Sequence, residues 1–242
     1  MLAAQSSAFE PLDAAELGTR VHSLFQKWGA WSEFYSEDHW QSELQSLAEE
    51  AGPRRLVAGV ISEWVRNSAW MKKPESGYEV WSELGFEVPI RIPGRPMEVL
   101  IGTIDRLVCD RGAKVPFTLI DFKVTAKAKS PSELLETYKR QIELYAWALH
   151  QLEPESRGHT RAFLIQISAQ GVNEVEVPLE PWVSSADSSK CLEQDYLVPI
   201  DQIVQSSQAL PRPSARCANC DFVTLCPEGT ASLPQNSSAK NS

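Results

Sequence analysis

The chain has 242 residues, of which 43% are hydrophobic and 23% charged, ordinary values for a globular protein with a substantial core. No apolar run approaches the ~18 residues of a membrane-spanning helix and the N-terminus has no signal-like pattern, so we predict a cytoplasmic protein without a membrane span. The formal net charge of -9 argues against a protein that coats nucleic acid non-specifically.

The charge is distributed unevenly along the sequence. Residues 1–50 hold nine acidic residues and two basic ones, Arg20 and Lys27, whereas residues 111–140 hold seven basic residues and three acidic ones. The second segment is therefore a basic island in an acidic protein. A local nucleic-acid site is compatible with the negative net charge, because phosphate binding requires only nearby lysine and arginine side chains.

The first third of the sequence is predicted to form three helices. Asp13, followed three residues later by Glu16, has the spacing of a capping box at a helix start. Apolar residues then recur at helical spacing as far as Trp28. Further helices are predicted over roughly residues 37–50 and after Pro53, where apolar residues again form one stripe.

From residue 78 the apolar period changes to that of strands. Two turn-rich segments, IPGRP and DRGAKVP, separate three predicted strands, and a proline preceded by Ser130 predicts the start of a long helix. Two more strands flank the turn Gln170-Gly171. The predicted strands are 78–92, 97–109, 117–124, 161–169 and 173–179, and the predicted helices are 131–152 and 199–208.

This order of elements predicts an α/β fold, with a mixed central sheet flanked by helices and an N-terminal helical region. We expect a flexible N-terminus over residues 1–11, a single domain over 12–227 and a disordered tail over 228–242. Within the domain, the predicted parts are a helical part at 12–75, a sheet and helix at 76–180, and a cysteine-containing C-terminal segment at 181–227.

Three charged residues on two neighbouring strands are candidates for chemistry. Asp105 lies in the second predicted strand, and Asp121 and Lys123 lie two apart in the third, so the latter share a face. Carboxylates that converge from adjacent strands form an oxygen site suited to Mg²⁺ or Mn²⁺, and a lysine beside it can act on water or on a phosphoryl oxygen. Alone, the common tripeptide Asp-x-Lys favours an ion pair on a surface strand.

Other polar residues accompany these three in a characteristic order. The segments are Gly18-Thr-Arg-Val-His22, Glu83-Leu-Gly-Phe86, Gly102-Thr-Ile-Asp105-Arg-Leu, Asp121-Phe-Lys123 and Tyr138-Lys-Arg-Gln141-Ile-Glu-Leu-Tyr145. Together they resemble the RecB-type branch of the PD-(D/E)XK nuclease superfamily, from about residue 12 to residue 227. Each segment alone is unspecific, whereas the combination is specific. The resemblance implies the mixed central sheet of that nuclease fold.

The resemblance also implies roles for individual residues. It implies that His22, Asp105 and Asp121 are ligands of Mg²⁺ or Mn²⁺ and that Lys123 is the catalytic lysine. It further implies that Gln141 and Tyr145 are supports beside the scissile phosphate and that Glu83 is an additional acid. The implied reaction is hydrolysis of a phosphodiester by metal-activated water. The basic residues Lys127, Lys129, Lys139 and Arg140 flank the site and are expected to hold the DNA backbone.

The protein implied by the resemblance is a metal-dependent deoxyribonuclease, expected to act as an exonuclease in DNA repair or recombination. Its expected partners are DNA and a helicase or a larger helicase–nuclease assembly, and no membrane. The alternative is a nuclease-fold module that binds DNA or a helicase without cleaving. The complete set of ligands and lysine favours the enzyme, because decay of an active site usually removes ligands first.

Three of the five cysteines form a cysteine knuckle, Cys217, Cys220 and Cys226. In a reducing compartment such clustering indicates a metal more than disulfides. The knuckle resembles the C-terminal end of RecB-type nucleases that hold a [4Fe–4S] cluster with a fourth, upstream cysteine. Residues 1–22 contain no cysteine, which leaves Cys109 and Cys191. Cys109 lies on a strand on the side of Asp105, so Cys191, in a loop-like stretch, is the candidate fourth ligand. Zn²⁺ and free thiols remain the alternatives.

Overall fold

The computed structural model describes residues 11–29, 37–49, 53–71, 78–125, 127–185 and 188–205. The chain divides into two compact units, Met1–Ser189 and Lys190–Ser242. The first unit holds three N-terminal helices, a five-stranded sheet and a long helix, and the second is described over residues 190–205. A single domain over 12–227 stays a prediction.

The N-terminal part of the first unit is helical, as predicted. It consists of α1 (Pro11–Gly29), α2 (Glu37–Glu49) and α3 (Pro53–Asn67), followed by a 3-10 turn at Ala69–Met71. The apolar stripes of these helices are buried, because each helix turns one face to a common core. Since α1 begins at Pro11, Asp13 lies inside the first turn and does not precede the helix as predicted.

The sheet of the first unit is mixed, which confirms the predicted fold class. Its strands are β1 (Tyr78–Ile90), β2 (Glu98–Asp110), β3 (Phe117–Val124), β4 (Thr160–Ser168) and β5 (Gly171–Glu176), in the order β1-β2-β3-β4-β5. Strands β3 and β4 are parallel, and the other neighbours are antiparallel. A parallel pair requires a crossover, and helix α4 (Pro131–Leu152) provides it.

Ser130 caps helix α4, as its position before Pro131 predicts. The Ser130 hydroxyl accepts a hydrogen bond from the backbone N–H of Glu133 at 3.3 Å, and the Glu133 carboxylate accepts one from the Ser130 N–H at 2.8 Å. This reciprocal capping box satisfies two backbone donors and fixes where the helix begins. The start of α4 is thus defined only a few residues after the end of β3.

Alternating side chains of β3 separate an apolar core from a polar site. Phe122 lies in the core that α1 and α3 cover, with its ring centroid 4.5 Å from that of Phe25. Asp121 and Lys123 take the opposite face, on the side of α4, where Lys123 Nζ lies 4.9 Å from the ring centroid of Tyr138. The predicted division of β3 into an apolar and a charged face is therefore present.

The strand bounds differ from the predicted ones by up to three residues, and one histidine lies in an unexpected place. Strand β5 ends at Glu176, three residues before the predicted end, although the N–H of Val177 still donates to the carbonyl of Ala162 at 2.8 Å. His150 has no motif around it and is predicted from the sequence to lie at the surface, yet it is fully buried. The last turns of α4 face the protein interior, and His150 Nδ1 lies 3.0 Å from the carbonyl oxygen of Val183.

Short helical segments follow the sheet. They are α5 (Pro181–Ser184), α6 (Ser189–Leu192), a π-helical segment (Glu193–Leu197) and α7 (Val198–Gln205), the last overlapping the helix predicted near 199–208. Among the helices of the described ranges, none has the length and apolar character to cross a membrane. The cysteine knuckle, the predicted tail and residues 1–10 lie outside the described residues.

Candidate active site

The backbone pairing of strands β2 and β3 ends at the candidate active site, where the side chain of Asp105 bonds to β3 instead. Their ladder of paired residues ends at Arg106 and Ile120. At the next position, Asp105 Oδ2 accepts a hydrogen bond from the backbone N–H of Phe122 at 2.7 Å. The carboxylate replaces a ladder hydrogen bond that the sheet no longer supplies, so β3 holds the acid of β2 in place.

Helix α1 brings His22 to the same point. His22 Nε2 lies 3.0 Å from the carbonyl oxygen of Phe122, and because a carbonyl only accepts, Nε2 carries the proton in this bond. Nδ1 lies 3.5 Å from Glu83 Oε1 and 3.6 Å from Asp105 Oδ2. A neutral imidazole would direct its Nδ1 lone pair at two carboxylates. Nδ1 therefore faces two carboxylate oxygens, a position that a metal ion could share with both of them.

Glu83 has an unusual backbone in the middle of β1. Its φ of 51° lies in the left-handed region, which costs a non-glycine residue ~1–3 kcal/mol. The flanking Ser82 and Leu84 both pair with β2, whereas Glu83, which lies opposite Asp105, does not. One ligand atom from each of His22, Glu83 and Asp105 lies within 4.8 Å of the others. The local strain thus accompanies a cluster of three potential metal ligands.

These three side chains form a donor set that a divalent cation fits. One imidazole nitrogen and two carboxylates suit Mn²⁺, and carboxylates also suit Mg²⁺. A metal-ligating histidine usually donates its second ring N–H to a carbonyl or a carboxylate, as His22 does to Phe122. Burial raises the pKa of Asp105 to about 6, so its negative charge lacks full compensation from the protein alone.

Asp121 lies outside this set of three and is paired with Lys123. Lys123 Nζ lies 2.7 Å from Asp121 Oδ2, while Oδ1 accepts no hydrogen bond from the described residues. Burial, and then the charge of Asp105, raise the pKa of Asp121 to about 6. Burial by itself would lower the pKa of Lys123, but the charge and hydrogen bond of Asp121, together with the charges of Asp105 and Tyr145, outweigh it and the pKa is raised. Asp121 is 1% exposed, so this is not the surface ion pair considered above.

Gln141 and Tyr145 meet on α4, as their four-residue spacing predicts. Gln141 Nε2 donates a hydrogen bond to the Tyr145 hydroxyl at 2.7 Å, which leaves the hydroxyl proton for another acceptor. The ring of Phe86 packs edge-on against Tyr145, with the centroids 5.7 Å apart. Burial raises the pKa of Tyr145, and the charge of Asp121 acts in the same direction, so the phenol lies within electrostatic reach of the acidic site.

A buried glutamine holds the loop that follows β3. Gln166 is fully buried on β4; its Oε1 accepts from the backbone N–H of Lys129 at 3.1 Å, and its Nε2 donates to Thr125 Oγ1 at 2.8 Å. Lys129 Nζ lies 5.4 Å from the ring centroid of Tyr138, the same ring that Lys123 approaches. The loop therefore brings a second lysine near the site.

The other basic residues predicted to bind DNA have different surroundings. Lys139 forms ion pairs with Glu180 at 2.5 Å and with Glu143 at 3.7 Å, so acidic neighbours match its charge. Lys127 and Arg140 are exposed. Of the four predicted contacts, Lys129 is thus the one that the structure brings to the aromatic ring beside Lys123.

Three residues that contact the candidate site or its loop carry no role predicted from the sequence. Tyr138 belongs to the recognised motif but has no function assigned there, and Phe86 reads as ordinary strand packing. For Gln166 the available signal was a polar residue inside the apolar run of β4, where an uncompensated amide would be costly.

A cavity of about 600 Å³ opens beside the candidate metal ligands and Lys123. Its lining includes His22, Glu83, Phe122 and Lys123, together with further residues of α1. Its size lies within the range of ligand-binding cavities. Two of the three candidate metal ligands, His22 and Glu83, therefore face the same space as Lys123, and a substrate can enter it.

The PD-(D/E)XK nuclease superfamily model matches residues 2–227 of the chain. The chain belongs to the PD-(D/E)XK nuclease superfamily. A nuclease of this superfamily acts on nucleic acid with the help of divalent metal, and the cluster of His22, Glu83 and Asp105 offers such a metal a site.

Two solved structures are similar to this PD-(D/E)XK chain. The protein SSO0001 is 17% identical with a TM-score of 0.43, and the match covers 89% of this chain and 81% of that one. A "Putative exonuclease" from Eubacterium rectale is 11% identical with a TM-score of 0.44, covering 86% and 79%. No curated protein matches the sequence significantly.

Proposed function

We propose that this protein is a Mg²⁺- or Mn²⁺-dependent deoxyribonuclease of RecB type that hydrolyses phosphodiester bonds. The observation that carries the proposal is the meeting of His22, Glu83 and Asp105 beside the buried pair of Asp121 and Lys123. A phosphodiester is anionic, so a carboxylate-rich site can accept it only together with positive charge. A divalent ion and the lysine supply that charge.

In the proposed site, the ligands are His22 through Nδ1 and the carboxylates of Glu83 and Asp105, with Asp121 Oδ1 as a further acceptor. A divalent ion bound there would polarise a phosphoryl oxygen and lower the pKa of a water molecule. The carbonyl of Phe122 orients the histidine through its bond to Nε2. The proposed ligand set thus includes Glu83 directly, beyond the three ligands expected from the sequence.

Lys123 is proposed to act on the water or the phosphate. Asp121 keeps its ammonium charged and the ring of Tyr138 lies beside it, so Nζ is restrained near the cavity. Tyr145, fixed by Gln141, has a hydroxyl proton to donate to a phosphate oxygen. These residues together provide donors around an anionic reaction centre.

Several finer parts of the proposal rest on the RecB-type order of motifs. They are exonucleolytic action on DNA, a role in DNA repair or recombination and association with a helicase. A cytoplasmic location stays a prediction from the N-terminal sequence. For the DNA backbone we propose contacts with Lys127, Lys129 and Arg140, and give Lys139 a lesser part because Glu143 and Glu180 pair with it. A [4Fe–4S] cluster or Zn²⁺ at the cysteine knuckle, with Cys191, stays a prediction.

The proposal is tested with end-labelled single- and double-stranded DNA, incubated with Mg²⁺ or Mn²⁺ over a time course. We expect shortened products that depend on metal and disappear in Asp121→Ala, since losing an acidic group from the site costs orders of magnitude in rate. Products that accumulate from one end would support exonuclease action. DNA binding without cleavage would favour the alternative, a silent nuclease-fold module.

A further inference from the structure

Helix α1 borders two neighbouring cavities. The first is the active-site cavity of about 600 Å³, where Thr19, Ser23 and Gln26 accompany the catalytic residues. The second measures about 250 Å³ and lies between α1 and α2, where Arg20 and Lys27 are among its lining residues. Ser23 lines both cavities. The helix is therefore a continuous border from the active site to a region with two cations.

The two cations of α1 stand out against their surroundings. Arg20 and Lys27 are the two basic residues of segment 1–50, which also holds nine acidic residues. They lie seven residues apart, which is two helical turns, so both project from one side of α1. In an acidic part of the chain, the positive charges are thus placed together at the cavity that adjoins the active site.

An existing ion pair at this cavity does not prevent Lys27 from binding an anion. Lys27 Nζ lies 2.6 Å from Glu43 Oε1, and the two side chains are 44% and 36% exposed. Exposed pairs of this kind contribute little stability, because water screens the attraction and two flexible side chains must be held. A phosphate brought there by a bound strand can therefore compete with the carboxylate.

We propose that α1 binds one strand of nucleic acid as it leaves the active site. Ser23 and Gln26 donate hydrogen bonds to sugar and phosphate oxygens near the reaction centre. Thr19 and Arg20 exchange their present contacts for contacts with the strand, and Lys27 pairs with the next phosphate. Residues 19 to 26 span about 10 Å of helix, which corresponds to roughly three stacked nucleotides at ~3.4 Å each.

Such contacts fix the register of the strand without reading its sequence, because they engage the sugar–phosphate backbone. This inference rests on the proposed function only in taking the cavity of His22 and Lys123 as the place where the phosphodiester is cut.

The test measures binding of a fluorescent single-stranded oligonucleotide of thymidines by anisotropy, in EDTA and over a series of salt concentrations. The double variant Arg20→Gln with Lys27→Gln should lower the magnitude of the slope of log K against log salt by about 1.4, since each phosphate contact contributes roughly 0.7 for a single strand. Each single variant should lower it by about half as much, which gives a second reading if the double variant folds poorly.

A matched control removes the same charge elsewhere. Arg111→Gln with Lys114→Gln changes two exposed cations in the turn after β2, at the opposite end of β3 from Lys123, and Arg111 also pairs with a glutamate, Glu79, at 3.8 Å. This control should keep the wild-type slope. Equal losses in both double variants would overturn the inference, because they would indicate a response to net charge alone.

The neutral donors give an independent reading. Ser23→Ala and Gln26→Ala should weaken binding several-fold and leave the salt slope unchanged, because neutral hydrogen bonds release no counterions. Wild-type slope and affinity in the Arg20 and Lys27 variants would overturn the inference even if the protein cleaves DNA. Conversely, the expected loss of slope in a protein that does not cleave would contradict the proposed nuclease activity and leave the strand site standing.

Discussion

The ring of Phe86 lies across Gly102 on the neighbouring strand, so closely that a Cβ at residue 102 would come within 2.5 Å of Phe86 Cζ. The two residues are direct partners in the β1–β2 ladder, and the same ring packs edge-on against Tyr145. The missing side chain of Gly102 thereby allows Phe86 to reach the phenol of the proposed active site.

Gly102→Ala should therefore impair catalysis through Tyr145. The added methyl displaces the Phe86 ring, and the resulting shift of Tyr145 should lower kcat by up to about 100-fold. Overpacking should also cost ~1–3 kcal/mol of unfolding free energy. Gly85→Ala on β1 is the matched control, because its Cβ would meet no atom within 4 Å. Steady-state kinetics and thermal unfolding of both variants check this, and similar behaviour of the two would contradict it.

Lys123→Ala should separate turnover from metal binding. In the proposed mechanism the lysine acts on water or phosphate, and it is paired with Asp121 rather than with one of the three clustered ligands, so Mn²⁺ affinity measured by calorimetry should be retained. Turnover should fall by ~10²–10³-fold, the usual cost of removing one group that stabilises developing charge. Lys114→Ala serves as an exposed control. A variant that cleaves well but no longer binds metal would show that the assigned role is wrong.

His22→Ala should raise the metal concentration required for activity. The imidazole is the nitrogen donor of the proposed set, and nitrogen donors favour Mn²⁺ over Mg²⁺. We expect the half-saturating Mn²⁺ concentration to rise by roughly 10–100-fold, with a smaller change for Mg²⁺. The exposed His159→Ala provides the comparison. An unchanged Mn²⁺ titration in His22→Ala would remove the histidine from the ligand set.

The buried His150 should make stability depend on pH. Burial lowers the pKa of His150, so the folded chain keeps it neutral while the unfolded chain takes up a proton below its ordinary pKa of ~6.5. The contribution of neutral His150 to the free energy of unfolding is therefore fully present above pH ~6.5. It is lost as the pH falls below that value, by at most about 1.4 kcal/mol per pH unit. Denaturant unfolding of wild type and His150→Asn from pH 7.5 to 5.5 should show their difference shrinking. A constant difference would contradict this account.

The cysteine knuckle is tested by colour and stability after anaerobic purification. If Cys217, Cys220 and Cys226 hold a metal, binding adds to the folding free energy, and Cys220→Ser should lower the Tm without abolishing cleavage. A brown protein would indicate an iron–sulfur cluster. A colourless protein that contains zinc would indicate a zinc site instead. Cys191→Ser should reproduce the loss only if that cysteine is the fourth ligand. A metal-free protein with an unchanged Tm in both variants would show that the cysteine knuckle is a remnant that holds no metal.

The fold was largely predictable because local patterns determine it. The period of apolar residues locates the helices and strands, and Ser130 with Glu133 marks the start of α4. The charged face of Asp121 and Lys123 follows from strand alternation alone. These features depend on near neighbours in the sequence, which a sequence displays directly.

Other features depend on contacts between distant residues and had no local signal. The left-handed backbone of Glu83 accompanies its approach to His22 on a different element. His150 is buried by packing against Val183 and has no motif that announces it. The ion pairs of Lys139 involve Glu180, which lies beyond β5. In each case tertiary packing determines the surroundings of the side chain, and these surroundings cannot be inferred from the charge or the type of the residue alone.

The backbone N–H, the backbone carbonyl and the ring of Phe122 are all engaged in contacts at the same time. Its N–H is bound to Asp105, its carbonyl to His22, and its ring packs against Phe25 in the core. The amide hydrogen of this one residue can exchange with solvent only when the carboxylate of Asp105 releases it. Its exchange rate therefore reports how often the candidate active site opens in the protein without bound metal or DNA.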